Sequence, residues 1–197
     1  MLKTVRDVCK FIGTQLQDAV CIETGSMYTC LPGNEVHTTT NNIYEFVVWE
    51  HGIFYSLDID PEHIEFARKY CHAVGERLFG DRVWTADVHF LEGDSVDSLK
   101  RLRAQWSGGS IRGNSIDLLC LDSKEFDEDH MVNEYLAIAP SLCLDKHFVL
   151  VDDIYNQNSV KYKKTVPLLK QLGYSYIEVP TPTGLFLATK GYNLPCG

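Results

Sequence analysis

The chain has 197 residues, 45% of them hydrophobic and 23% charged, a size and balance that suit one soluble domain spanning 1–197. Its formal charge of −9, with no basic run longer than Lys161-Tyr-Lys-Lys164, argues against a nucleic-acid partner, because that binding rests largely on neutralising phosphates. No apolar stretch approaches the roughly 20 residues a membrane span needs, and the opening Met-Leu-Lys-Thr-Val-Arg-Asp lacks the apolar core of a secretion signal.

In chain order, Val5, Val8, Cys9, Ile12 and Leu16 recur at helical spacing, which predicts a lead-in helix over 3–17. Ala19–Glu23 is a short apolar strand ending in an acid, followed by Gly25 and a polar loop over 26–38. Asn41–His51 reads as a helix closed by Gly52 as its C-cap. Ile53–Asp58 is an apolar run of the kind buried on both faces of a parallel sheet. Asp60 is then a good N-cap and Pro61 suits the first turn of a helix running to about Leu78. Asp87–Leu91 is a weaker strand. Gly93-Asp94-Ser95 turns into a helix whose acids sit at its start and whose basic residues sit towards its end, as the helix dipole prefers. Ser107–Asn114 is a Gly/Ser-rich surface loop. Ile116–Leu121 is a buried strand ending in Asp122, and a helix runs from the acidic 125–129 segment to about Ala139. His147–Val151 is a fifth strand, ending in Asp152-Asp153. A helix over 159–172 and two strands, Tyr174–Val179 and Gly184–Lys190, complete the chain. Alternating strands and helices imply parallel strands with right-handed crossovers. The expected fold is a doubly wound α/β sandwich with a mostly parallel seven-stranded sheet, helices on both faces and an antiparallel C-terminal strand.

Several of these strands end in acids or lead into a Gly-Asp turn: Glu23, Asp58, Asp94, Asp122 and Asp152-Asp153. The carboxyl ends of the strands are where open α/β sheets bind ligands. Acids converging on that rim repel one another unless a cation or a hydrogen-bonding ligand offsets the charge. Asp58 is placed to accept hydrogen bonds from both hydroxyls of a ribose. The seven cysteines are odd in number and form no Cys-x-x-Cys pair, which points to free thiols in a reducing, cytoplasmic setting.

Val20-Cys-Ile-Glu-Thr-Gly25, Ser56-Leu-Asp-Ile-Asp-Pro61, Glu92-Gly-Asp-Ser95 and Asp117-Leu-Leu-Cys-Leu-Asp122 resemble, in order and spacing, the successive motifs of class I S-adenosylmethionine-dependent methyltransferases. The resemblance implies that Glu23 and Gly25 line the methionyl side of the cofactor and that Asp58 holds its ribose. It also implies that Asp94 and Ser95 lie near the adenine. The first motif departs from the family in lacking its second glycine. Thr38-Thr39-Thr40 stand at the expected helix start, with Thr39 at the cofactor carboxylate. Asp122, Asp152 and Asp153 fall where catechol-type O-methyltransferases carry magnesium ligands, which implies Mg²⁺ holding a hydroxyl of a small-molecule acceptor beside the methyl group. Where those enzymes place a basic lysine this chain has Glu125, with Lys124 one residue earlier, and either can serve as general base if it faces the pocket. A metal-independent methyltransferase and a non-catalytic cofactor-binding protein are the alternatives.

Other residues have plainer readings. His130 and Glu134 are one helical turn apart but lack a second histidine, and read as a solvated helix face. Cys120 reads as core, and Lys161–Lys164 as a solvated helix end. Tyr28 and Tyr155 flank the expected pocket. The chain has little sequence to spare for a lid, so a homodimer in which one copy closes the other's site is an expected possibility.

Overall fold

The computed structural model describes residues 2–27, 38–49, 51–80, 87–107, 115–124 and 126–195. The apolar runs form seven strands: Val20–Thr24 (β1), Ile53–Asp58 (β2), Asp87–Glu92 (β3), Leu118–Leu121 (β4), His147–Asp152 (β5), Ser175–Val179 (β6) and Leu185–Lys190 (β7). They lie in the order β3-β2-β1-β4-β5-β7-β6. The pairs from β3 to β5 are parallel, and β7 is antiparallel to both β5 and β6. Burial follows position. Every residue of β1, β4 and β5 is buried, whereas the edge strands β3 and β6 are largely exposed or half-exposed.

Successive strand residues point to opposite faces, and each face has its own core. On one side Cys21, Phe54, Leu118, Cys120, Phe148 and Leu150 meet the helices Val5–Gly13 (α1), Thr39–Trp49 (α2) and Pro61–Phe79 (α3). On the other, Ile22, Leu57, Leu119, Leu121, Val149 and Val151 meet Ser95–Ser107 (α4), His130–Ile138 (α5) and Tyr162–Gln171 (α6). The doubly wound fold and its antiparallel C-terminal strand are thus as expected. Cys120 is core, and the five cysteines among the described residues carry free thiols. None of the described helices is long and apolar enough to cross a membrane.

Local chemistry sets the element ends. Asp60 caps α3 by accepting the Glu62 N–H at 2.8 Å, with Pro61 in the first turn. The end of α2 differs from expectation. His51, not Gly52, takes the left-handed conformation (φ 58°). Gly52 is needed for space instead, since a Cβ there would lie 2.4 Å from the Ala19 carbonyl oxygen.

Candidate active site

Strand order reverses between β1 and β4, so the connections leaving their carboxyl ends diverge to opposite faces and open a crevice. Gly25 lets the crevice form. It sits at φ 84°, and a Cβ there would lie 2.3 Å from the Asp122 carbonyl oxygen, so only glycine lets the loop after β1 pass the end of β4. A cavity of about 400 Å³ occupies the crevice.

Asp58 stands on its β2 wall. Its Oδ2 accepts the Ser26 N–H at 2.9 Å and lies 3.3 Å from His63 Nδ1, while Oδ1 accepts the Asp60 N–H at 2.9 Å. A carboxylate offers about four acceptor sites, so one remains for a ribose hydroxyl and a second becomes available if His63 turns aside. Ser26 is held from below: its hydroxyl shares a 2.7 Å hydrogen bond with Ser56, which donates to Glu23 Oε2 at 3.0 Å. Glu23 itself is fully buried, and its Oε1 has no hydrogen-bond partner among the described residues. Burial pushes its pKa up to about 8; the charge of Asp122 adds to the rise, and the nearby Thr39 and Thr40 hydroxyls oppose it.

The wall formed by α4 and α5 rests on a buried acid. Glu134 is fully buried and accepts from Ser123 Oγ at 2.5 Å, from Thr24 Oγ1 at 3.2 Å and from Ser95 Oγ. His130 Nε2 lies 2.9 Å from Ser95 Oγ and 3.4 Å from Glu134 Oε1. One carboxylate therefore ties the ends of β1 and β4 to the starts of α4 and α5, and sets Ser95, Ser123 and His130 on the cavity surface. Beside them Asp94 accepts the Asp97 N–H at 3.2 Å and pairs with Lys124 at 3.4 Å. Partial burial alone would raise the Asp94 pKa, but these two contacts outweigh it and hold the carboxyl below its usual value.

The acids at the ends of β4 and β5 meet an internal cation. Lys161 Nζ lies 2.5 Å from Asp122 Oδ1 and 2.8 Å from Asp153 Oδ2, and the lysine side chain is fully buried. Burial disfavours that ammonium, but Asp122 and Asp153 outweigh the penalty and raise its pKa above the ordinary lysine value. Asp153 reaches the pair from a left-handed turn (φ 63°), a conformation aspartate tolerates better than most residues. Asp152 points elsewhere, accepting the Asp153 N–H at 2.7 Å and the Thr183 hydroxyl at 3.4 Å. Burial drives its pKa well above the carboxylate range, and the charges of Asp122 and Asp153 add to the rise.

This arrangement does not fit Mg²⁺. The ion needs near-octahedral oxygen ligands at about 2.1 Å, and among the described residues no three His, Cys, Asp or Glu side chains form a group able to hold a metal. The ammonium already stands between the two acids. A dication about 4 Å from it would meet roughly 8 kcal/mol of repulsion at an effective dielectric constant near 20.

No family model matches the sequence, and no curated protein matches it. Solved structures do. A methyltransferase from Geobacter sulfurreducens aligns with a TM-score of 0.63 at 12% identity, over 98% of this chain and 81% of that one. An SAH-bound methyltransferase from Podospora anserina gives 0.57 at 15% identity, over 95% and 79%. A TehB-like SAM-dependent methyltransferase from Corynebacterium glutamicum gives 0.53 at 12% identity, over 94% and 86%. The chain has the fold of the SAM-dependent methyltransferases.

Within this methyltransferase fold, the cavity brings together Gly25, Asp58, Asp94, Ser95, Asp122, Lys124 and Asp153 of the residues expected from sequence. Glu23, Thr39 and Asp152 are buried and do not line it. Lys124 reaches the cavity but turns to Asp94, away from the Asp122–Asp153 pair. Glu125, Tyr28 and most of the 26–38 loop lie outside the described residues, and Tyr155 is half-exposed on the surface. Two further expectations are corrected. His130 and Glu134 are a buried network, not a solvated helix face, and Lys161 is a buried ion-pair centre, not part of a solvated helix end. Sequence reading missed Ser26, His63 and Ser123 altogether. A usable signal existed for Ser26 and Ser123, since each lies within two residues of a rim residue already singled out.

Proposed function

We propose that this chain transfers a methyl group from S-adenosylmethionine to an oxygen of a small hydroxylated acceptor. The observation that carries the reading is the cavity at the strand-order reversal. It has a ribose-competent carboxylate, Asp58, on one wall and the paired carboxylates of Asp122 and Asp153 on another. The cofactor supplies an electrophilic methyl on its sulfonium. On this reading Asp58 accepts from the ribose, and Ser95 and His130 offer hydrogen bonds at the adenine end. Gly25 leaves the backbone open to the methionyl end. Asp122 and Asp153 then face the acceptor, where a carboxylate can take the hydroxyl proton as the oxygen attacks in line. The volume of about 400 Å³ suits a nucleoside-sized molecule beside a small acceptor, not a polymer drawn deep into the site.

Calorimetric titration with S-adenosylmethionine and with S-adenosylhomocysteine tests the cofactor half. Labelled-methyl transfer into a panel of catechols, phenols and hydroxy acids tests the acceptor half. Saturable binding of both nucleosides and an O-methylated product are expected. Absence of binding overturns the whole reading, and transfer confined to nitrogen acceptors or to nucleic acid overturns the acceptor assignment alone.

A further inference from the structure

We propose that Lys161 is a positioning residue whose ammonium does the work of a divalent cation, so that the acids at the ends of β4 and β5 operate without a metal. Three observations carry this. The lysine side chain is fully buried, so it is not a surface residue that happens to reach an acid. Its Nζ contacts a carboxylate oxygen from each of two strand ends, Asp122 at 2.5 Å and Asp153 at 2.8 Å, and lies 3.5 Å from the Asp122 carbonyl oxygen. It therefore stands among hard oxygen donors, the set a divalent ion would use. Finally, both acids line the cavity, so whatever holds them fixes the carboxylates presented to an acceptor. Lys161 acts through those carboxylates, from the turn that leads into α6.

The inference rests on the proposed methyl transfer only for its consequence in catalysis; the cation exchange at its centre is measurable without cofactor or acceptor. If the ammonium fills a cation position, removing it withdraws the positive charge that Asp122 and Asp153 share and vacates the place it held between them. Lys161→Ala is therefore expected to gain Mn²⁺ binding at least about tenfold tighter than any shown by the wild type. Calorimetry reads this on metal-stripped protein, and Lys161→Ala/Asp153→Asn is expected to lose the gain. Should Lys161→Ala melt too low for titration, Mn²⁺ is expected to restore its melting transition, because a ligand bound only by the folded state stabilises it. A lysine that served packing alone would produce neither effect.

Wild type that binds Mn²⁺ as tightly as Lys161→Ala overturns the proposal. So does Lys161→Ala that neither binds the ion nor is stabilised by it. S-adenosylmethionine binding to the wild type, measured in parallel in chelator, keeps the two readings apart: its failure counts against the methyltransferase reading and leaves the metal result standing.

Discussion

Replacing Asp58 separates its proposed work for the cofactor from its work for the fold. In Asp58→Ala, the proposed hydrogen bonds from a ribose to the carboxylate are lost, one at the open acceptor site and a second made once His63 turns aside. Hydrogen bonds to charged groups contribute about 1.5–3 kcal/mol each, and water entering the vacated space recovers part of that. A net loss near 3 kcal/mol corresponds to roughly a hundredfold weaker Kd. The fold suffers as well, because the Ser26 and Asp60 N–H groups lose their acceptor and the loop after β1 loses its tie to β2. Each unmet donor costs about 1 kcal/mol where water reaches it. A melting temperature lower by several degrees is expected for a chain of this length, at about 2–4 °C per kcal/mol. Asp58→Asn keeps one carbonyl acceptor and should fall between wild type and alanine in both measurements. Calorimetry with S-adenosylmethionine below the melting transition reads the first effect, and a thermal scan reads the second. Asp58→Ala that is folded and binds within about threefold of wild type would refute the ribose role, whatever its stability.

Glu134→Ala removes the acceptor shared by Thr24, Ser95 and Ser123 and the neighbour of His130; about 3 kcal/mol of stability should be lost in urea titration, and a loss below about 1 kcal/mol would mean the hydroxyls re-pair among themselves. Gly25→Ala forces a left-handed residue against the Asp122 carbonyl, so poorer folding and weaker cofactor binding are expected, and unchanged binding would contradict the close approach. Burial lifts the Glu23 pKa from 4.5 to about 8, so the folded chain keeps a proton that the unfolded chain releases; its contribution to stability is full at low pH and is lost as pH rises through that window. Glu23→Gln should lack this slope and gain on the wild type between about pH 5 and pH 8 in urea midpoints. His147 has the opposite sign. Burial beside Tyr174 lowers its pKa below 6.5, so the unfolded chain takes up a proton the folded chain refuses, and stability should fall as pH drops below 6.5, with a shallower fall in His147→Gln.

The sheet was legible because its central strands are short, continuously apolar and bounded by turn residues, a pattern that fits strands covered on both faces and little else of that length. Ends were less legible where two effects call for the same residue. Gly52 follows a helix, so it resembles a C-cap, yet the constraint on it comes from the Ala19 carbonyl, thirty-three positions earlier in the chain. His51 takes the left-handed conformation that the glycine was expected to supply. Periodicity also misled at His130 and Glu134. Polar residues one helical turn apart ordinarily mark a solvated face, but here that face packs against the polar ends of strands, where hydroxyls and a carboxylate can satisfy one another away from water.

The acids show how far a charge argument reaches from sequence. Carboxylates crowding one rim do require compensation, and the structure supplies it: Lys124 beside Asp94, and Lys161 between Asp122 and Asp153. A bound ion and a side-chain cation relieve such repulsion alike, because a nearby positive charge of either kind suffices. The choice depends on where one lysine points, and Lys161 sits in a stretch with Lys163 and Lys164 that differs from it only in three dimensions. Lys164 pairs on the surface with Asp129 at 2.8 Å, while Lys161, three positions earlier, is fully buried under the end of the sheet. An ammonium and a divalent ion stabilise a pair of carboxylates by the same attraction, but only the ion leaves coordination positions through which a substrate oxygen can be polarised directly. On the proposed reaction, with Lys161 in that place, activation of an acceptor hydroxyl would fall to the carboxylates themselves, which favours acceptors whose protons are already acidic, such as phenols and catechols, over simple alcohols.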